Sequence, residues 1–224
     1  MPIIVRTLLY PDQDYAHYRI IRGYNDTTGE IIQDDSLEGK DLRFTYQEFE
    51  NLWLPFNKAY LIIARPEQKT AVEKILGENK ETFSAWQKAV VLSKNKLAIV
   101  PQDFTANFNL AVAEYYLGNY AKSIDAFEKV SANLPKHMLW YQNEPLKAYF
   151  ELKKDAQVFD LTDKIFTDGN KADSELHFLR GQILERQSKL MEAKTEFEKA
   201  VFYNQNYQPA QEALAQLIAK EISF

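Results

Sequence analysis

Two textures of apolar and polar positions divide the chain. Over residues 1 to about 64, β-branched and aromatic residues run in short stretches between turn signals. Those signals are Tyr10-Pro11-Asp12, Asn25-Asp26-Thr27-Thr28-Gly29 and Leu37-Glu38-Gly39-Lys40-Asp41. The pattern predicts strands near 3–9, 17–24, 30–34 and 59–64. Between the last two, Tyr46, Phe49, Leu52 and Trp53 form an apolar row whose steps suit a short helix. Thr45 would cap it, with Glu48 completing a capping box. From about residue 65 the chain becomes helical and charged. Arg65-Pro66-Glu67 breaks the last strand, Glu67 to Leu76 reads as a helix ended by Gly77, and a second helix from Glu81 to Leu97 stops before Pro101.

Beyond Pro101 the pattern repeats. Leu117-Gly118-Asn119-Tyr120, Leu152-Lys153-Lys154-Asp155 and Gln187-Ser188-Lys189-Leu190 align at a period of about 35 residues, each with an apolar helix before it and another after it. The second helices carry Ser123, Phe127 and Val130, then Val158, Thr162 and Ile165, then Ala193, Phe197 and Ala200 at core spacing. Two helices per unit at this period predict a helical solenoid. These residues resemble tetratricopeptide repeats over about 101–222. The first unit matches through Leu110, Ala111, Tyr115, Gly118, Tyr120, Phe127 and Pro135, and the third through Gly181, Ala193, Phe197 and Ala200. The second departs, with Pro145 and Lys153 at positions that favour small residues or glycine, and Pro209 to Ile222 reads as a capping helix. By the repeat register, the first helices would line a groove with Phe108, Val112, Tyr115, Asn143, Lys147, Phe150, Phe178 and Gln182. Such a face could hold a peptide. Packing between helices is the plainer role for some of these side chains.

Composition narrows the function classes. Hydrophobic residues at 46% and charged residues at 26% are ordinary for a globular chain of this length. The net charge of −5 is spread along the chain without a basic stripe, which argues against a nucleic-acid partner. The apolar runs are strand-length, too short to span a bilayer, and the first residues lack the layout of a signal peptide. With no cysteine, disulfides and thiolate metal sites are excluded. The compartment is undetermined, with the cytoplasm as the default.

The strands also carry candidate chemistry. His17 opens a strand, Asp34 and Asp35 end the next, and the Asn25–Gly29 turn folds one against the other. Pairing Tyr24 with Glu30 sets Asp34 opposite Ile20, within diagonal reach of His17. A carboxylate there would fix the tautomer of the imidazole. A lone histidine opening a strand is more often structural. Polar groups at the end of an apolar hairpin nonetheless call for a reason.

Pro2-Ile3-Ile4-Val5, His17-Tyr18-Arg19-Ile20-Ile21-Arg22-Gly23-Tyr24, Ile32-Gln33-Asp34 and Tyr46-Gln47-Glu48-Phe49-Glu50-Asn51-Leu52-Trp53 resemble the C-terminal half of a papain-like cysteine peptidase of the bacteriocin-leader-processing type. The resemblance covers residues 1–64. It implies His17 as general base and Asp34 as its orienting acid, with Asp35 the weaker candidate. In that family the nucleophilic cysteine and the oxyanion-hole glutamine precede the Pro-Ile-Ile-Val strand. Without a cysteine the chain is expected to be inactive alone, as a piece or remnant of a peptidase.

The other histidines read as structural: His177 falls at a packing position, and His137 has no second ligand at metal spacing. Asp12, Asp14, Asp34, Asp35 and Asp41 lack the spacing of a calcium loop. No metal or cofactor is expected. The expected architecture is α+β: an incomplete papain-like antiparallel sheet (1–64), linking helices (65–100) and a tetratricopeptide-like array of about three repeats with a capping helix (101–222). Partners would be a protein or peptide ligand. The Ile3-Ile4-Val5 strand, left unpaired on one side, would favour self-association. The runner-up reading is a non-enzymatic repeat scaffold carrying a vestigial peptidase domain.

Overall fold

The computed structural model describes residues 1–222. Five strands, β1 (Ile3–Leu8), β2 (Ala16–Asn25), β3 (Glu30–Asp35), β4 (Gly39–Thr45) and β5 (Tyr60–Ile62), form one antiparallel sheet in the order β4-β3-β2-β1-β5. Helices α1 (Tyr46–Trp53), α2 (Lys69–Leu76), α3 (Thr82–Ile99), α4 (Phe104–Tyr116), α5 (Tyr120–Glu128), α6 (Met138–Tyr141), α7 (Glu144–Glu151), α8 (Asp155–Thr167), α9 (Ser174–Arg186), α10 (Leu190–Tyr203) and α11 (Gln208–Ile222) follow or interrupt it.

Two features of the sheet differ from expectation. Of the stretch read as a turn at Leu37–Asp41, Leu37 and Glu38 lie in a turn but Gly39–Asp41 open β4, an edge strand whose Lys40, Asp41 and Arg43 are exposed while Leu42 and Phe44 turn inward. Charged residues blunt a sheet edge, and they also mask the alternation that marks a strand. The second correction concerns β1. It is not an unpaired edge, because the chain returns after α1 and lays β5 along it, pairing Ile3 with Ile62 and Val5 with Tyr60. Ile63 donates its N–H to the Pro2 carbonyl at 3.0 Å beside that ladder. The apolar edge is therefore β5, where Tyr60 and Leu61 are exposed, with Ile63 exposed just beyond it.

One sheet face is covered. Val5, Thr7, Arg19, Gln33 and Asp35 share it by alternation and are all buried, along with Phe49 and Leu52 of α1. The α1 helix starts where Thr45 accepts the Glu48 N–H and the Glu48 carboxylate takes the Thr45 N–H, a complete capping box.

The chain separates into two compact units, Met1–Ala148 and Tyr149 onward. The first contains the sheet and α1–α6. Asn109 of α4 donates to the Leu54 carbonyl (2.7 Å), Gln142 to that of Pro55 (2.9 Å), and Arg6 of β1 to that of Tyr141 (2.7 Å). These bonds fasten α4 and the end of α6 to the turn that follows α1, and α6 to β1. Within that pair, Ser123 donates to the Ala111 carbonyl at 2.7 Å, and Phe108 meets Phe127 at 6.3 Å between ring centres. In the second unit Ala193, Phe197 and Leu217 form a core against Phe178, Leu184, Ala213 and Leu214.

The repeat is visible in the backbone. Gly118, Lys153 and Ser188 all have positive φ, at 74°, 56° and 61°. Each is followed by the same N–H to C=O closure across the helix end: Asn119 to Glu114, Lys154 to Tyr149 and Lys189 to Leu184, all 2.9 Å. This is a Schellman cap, in which the left-handed residue lets two stray carbonyls find donors. Glycine adopts it without cost. Lys153 and Ser188 do so against the preference of L-residues. Ser123, Phe127, Val130, Val158, Thr162, Ile165, Ala193, Phe197 and Ala200 are all buried, as their spacing predicts.

Candidate functional site

The β2–β3 ladder decides which carboxylate meets His17. Asn25 pairs with Glu30 and Tyr24 with Ile31, one step away from the expected register. A bulge between Ile21 and Gly23 removes the offset, so that Ile20 does face Asp34. Strand side chains alternate. Ile20 and Asp34 therefore share one face, and His17, three residues from Ile20, lies on the other with Arg19 and Asp35. The carboxylate beside His17 is accordingly that of Asp35, with Oδ1 3.0 Å from Nε2. Asp34 points away; its Oδ1 accepts the Asp41 N–H at 2.9 Å and lies 3.5 Å from Arg22.

Asp35 is held from several sides. Its Oδ1 accepts the backbone N–H groups of Leu37 (2.7 Å) and Glu38 (3.0 Å), and its Oδ2 lies 3.3 Å from Arg19 Nε. The contacts to His17 and Arg19 are ion-pair contacts whose angles fall outside hydrogen-bond geometry. Burial opposes ionisation of Asp35, but the two N–H donors, followed by the charges of His17 and Arg19, hold its carboxyl below the usual range. Tyr10 donates to Glu38 just above, linking the β1–β2 loop to the turn after β3.

The His17 side chain is 24% exposed, and its Nδ1 has no hydrogen bond among the described residues. Cross-strand from it lies Thr7, whose hydroxyl is fully buried and so cannot meet a substrate. Thr7 Oγ1 and both amide atoms of Gln33 have no partner among the described residues. The geometry thus sets a part-exposed imidazole 3.0 Å from a buried carboxylate, at the rim of a buried polar row. Arg19 belongs to this site, and two-residue periodicity from His17 was the signal for it.

The groove positions fall in both units. In the first, Phe108 and Val112 are buried inside the helix layer rather than open on a face. The reason is that α4 is packed by both α3 and α5. Tyr115 packs against Tyr116 and Tyr120, and Asn143 and Lys147 are half-buried. In the second, Phe178 packs between Phe197 and Tyr207, Phe150 lies under the Arg186 guanidinium at 4.9 Å, and Gln182 is half-buried.

His137 and His177 are both buried and paired. Asp14 Oδ1 lies 2.7 Å from His137 Nδ1, and Tyr15 stacks on the ring at 4.1 Å. His177 sits between Phe166 and Tyr203, with Nδ1 2.6 Å from Glu196 Oε2 and Nε2 3.0 Å from the Lys171 carbonyl. Among the described residues no group of three histidine or acidic side chains could hold a metal ion, and no helix is long and apolar enough to cross a membrane.

No family model and no curated protein matches the chain. Solved structures do. A crystal structure of MamA aligns with a TM-score of 0.55 at 13% identity, over 71% of this chain and 86% of MamA. MamA 41-end from Desulfovibrio magneticus RS-1 gives 0.55 at 14%, over 69% and 84%. YrrB, described as a TPR protein with an unusual peptide-binding site, gives 0.52 at 17%, over 66% and 73%. The helix pairs have the tetratricopeptide-repeat fold. Its marks in this chain are the Schellman turns at Gly118, Lys153 and Ser188 and the contact between Gly181 and the Phe197 ring, where a Cβ would overlap. The likeness is one of fold, and the sheet with its His17–Asp35 contact stands beside it.

Proposed function

We propose that the chain is a protein-interaction scaffold whose tetratricopeptide-type helix pairs bind a segment of a partner protein. The observation that carries this reading is the thrice-repeated helix pair with its common turn geometry, an architecture that presents rows of first-helix side chains to a ligand. YrrB, which shares the fold, has a peptide-binding site by its description. Candidate contacts are the half-buried Tyr115, Asn143 and Lys147 in the first unit, and Phe150, Phe178 and Gln182 in the second. A photo-crosslinking side chain placed at Gln182, compared with one at the exposed Glu198, tests this in the native cell. A discrete cross-linked protein from position 182 alone supports the reading; identical patterns from both positions reject it.

A second reading is favoured by one observation, the 3.0 Å approach of Asp35 to His17 at the rim of the sheet. On this reading His17 and Asp35 are the base and orienting acid of a papain-like peptidase site whose nucleophile lies on another segment. The buried Asp35, rather than Asp34, takes the acid's role. A model peptide turned over by the chain with its native partners, and not after His17→Ala, supports it; equal turnover by both forms ends it.

A further inference from the structure

Arg19 is 1% exposed, a guanidinium in the covered face of a sheet. Such a charge is costly to bury unless its neighbours answer it. Its NH2 donates to the Leu9 carbonyl at 2.7 Å, its carbon lies 5.1 Å over the Phe44 ring, and its Nε faces Asp35 Oδ2 at 3.3 Å. The Asp35 carboxylate is thereby divided. One oxygen belongs to the Leu37 and Glu38 N–H groups and to His17, the other to Arg19.

At 3.0 Å, a lone pair on His17 Nε2 would oppose those of an ionised carboxylate. The repulsion favours the neutral tautomer with its proton on Nε2 and its lone pair on Nδ1. We propose that Arg19 is the positioning residue that locks this state: by holding Oδ2 it keeps Oδ1 turned to His17, fixing the Nε2–H tautomer with Nδ1 as the open proton acceptor. The Leu37 and Glu38 N–H groups hold Oδ1, while among the described residues Arg19 is the group facing Oδ2, so the plane of the carboxylate about Oδ1 is set by Arg19. Without Arg19, Oδ2 becomes a buried, unanswered charge, and the carboxylate either turns toward water or takes up a proton. Both outcomes release Nε2. Use of Nδ1 as a catalytic base rests on the hydrolytic reading; the lock itself does not.

The test is nitrogen-15 NMR of the imidazoles in the full chain, in alkaline buffer, with His17 assigned by its loss in His17→Gln. The wild-type ring is expected to be wholly Nε2–H. Arg19→Gln should give a mixture of tautomers. Arg19→Lys keeps a cation but not the two-way fork, so it should also mix them, and it carries the test where the glutamine variant does not fold. A wild-type ring that is already mixed or Nδ1–H overturns the proposal, as does any folded Arg19 variant that stays wholly Nε2–H. Since no turnover is measured, failure of hydrolysis bears only on the peptidase reading.

Discussion

Asp14 grips His137 with both carboxylate oxygens: Oδ1 lies 2.7 Å from the ring Nδ1, and Oδ2 accepts the backbone N–H at 2.8 Å. A residue of the β1–β2 loop thereby holds the segment that leads into α6, 123 positions away in sequence. Burial opposes ionisation of Asp14, but its bonds to His137 outweigh that and lower its pKa. Its contribution is therefore present above the ordinary value of 3.8 and lost as pH falls through the lowered one. Asp14→Ala should cost about 2 kcal/mol at neutral pH. In urea unfolding, the gap from wild type should close in strong acid; a pH-independent gap contradicts the ion pair.

Glu196 makes a second, internal acid-sensitive contact in the other unit. It is buried, which alone would raise its pKa. Hydrogen bonds from His177 and Lys199, with the charge of Arg180, pull it down to about 2. The ionised form stabilises the fold above the ordinary value of 4.5, and that stability drains away as pH falls toward 2. Glu196→Gln should lose on the order of 2 kcal/mol at neutral pH. Its unfolding free energy should also vary less than wild type between those limits, as denaturant titrations at several pH values would reveal.

The two carboxylates at the end of β3 should behave unlike each other. Asp35→Asn strips a buried, doubly contacted charge and should cost about 3 kcal/mol. Asp34→Asn, at a partly exposed site, should stay within roughly 0.5 kcal/mol of wild type. Equal losses in chemical denaturation would refute the face assignment.

Glycine has opposite values at two repeat positions. Gly181→Ala drives a methyl into the Phe197 ring and should cost roughly 1–3 kcal/mol. Ser188→Gly relieves a left-handed residue and should add roughly 0.5–1 kcal/mol. Thermal melts of the two variants should therefore move in opposite directions.

How much of this is legible in the sequence depends on how local the cause is. The Thr45–Glu48 capping box and the period of the turns at Gly118, Lys153 and Ser188 are set by residues within a few positions, and each could be read directly. The choice between Asp34 and Asp35 needed only strand parity from Ile20, which the sequence supplies once that pairing is drawn. Other features were set by distant partners. β4 hides its alternation behind the charges of an edge, and Phe108 and Val112 are buried because α3 and α5 both pack on α4. The covering of β1 by β5 likewise depends on a strand of three residues that follows an entire helix.

That last pairing has a consequence for how the sheet is built. β2, β3 and β4 are joined by short turns and can zip up as a meander, whereas Ile3 must wait for Ile62, about sixty residues further along, at a loop-closure cost that a hairpin does not incur. The difference in loop length favours an order of assembly in which the meander forms first and β5 closes the edge last. In that order β1 would offer its open side to another chain until β5 arrives.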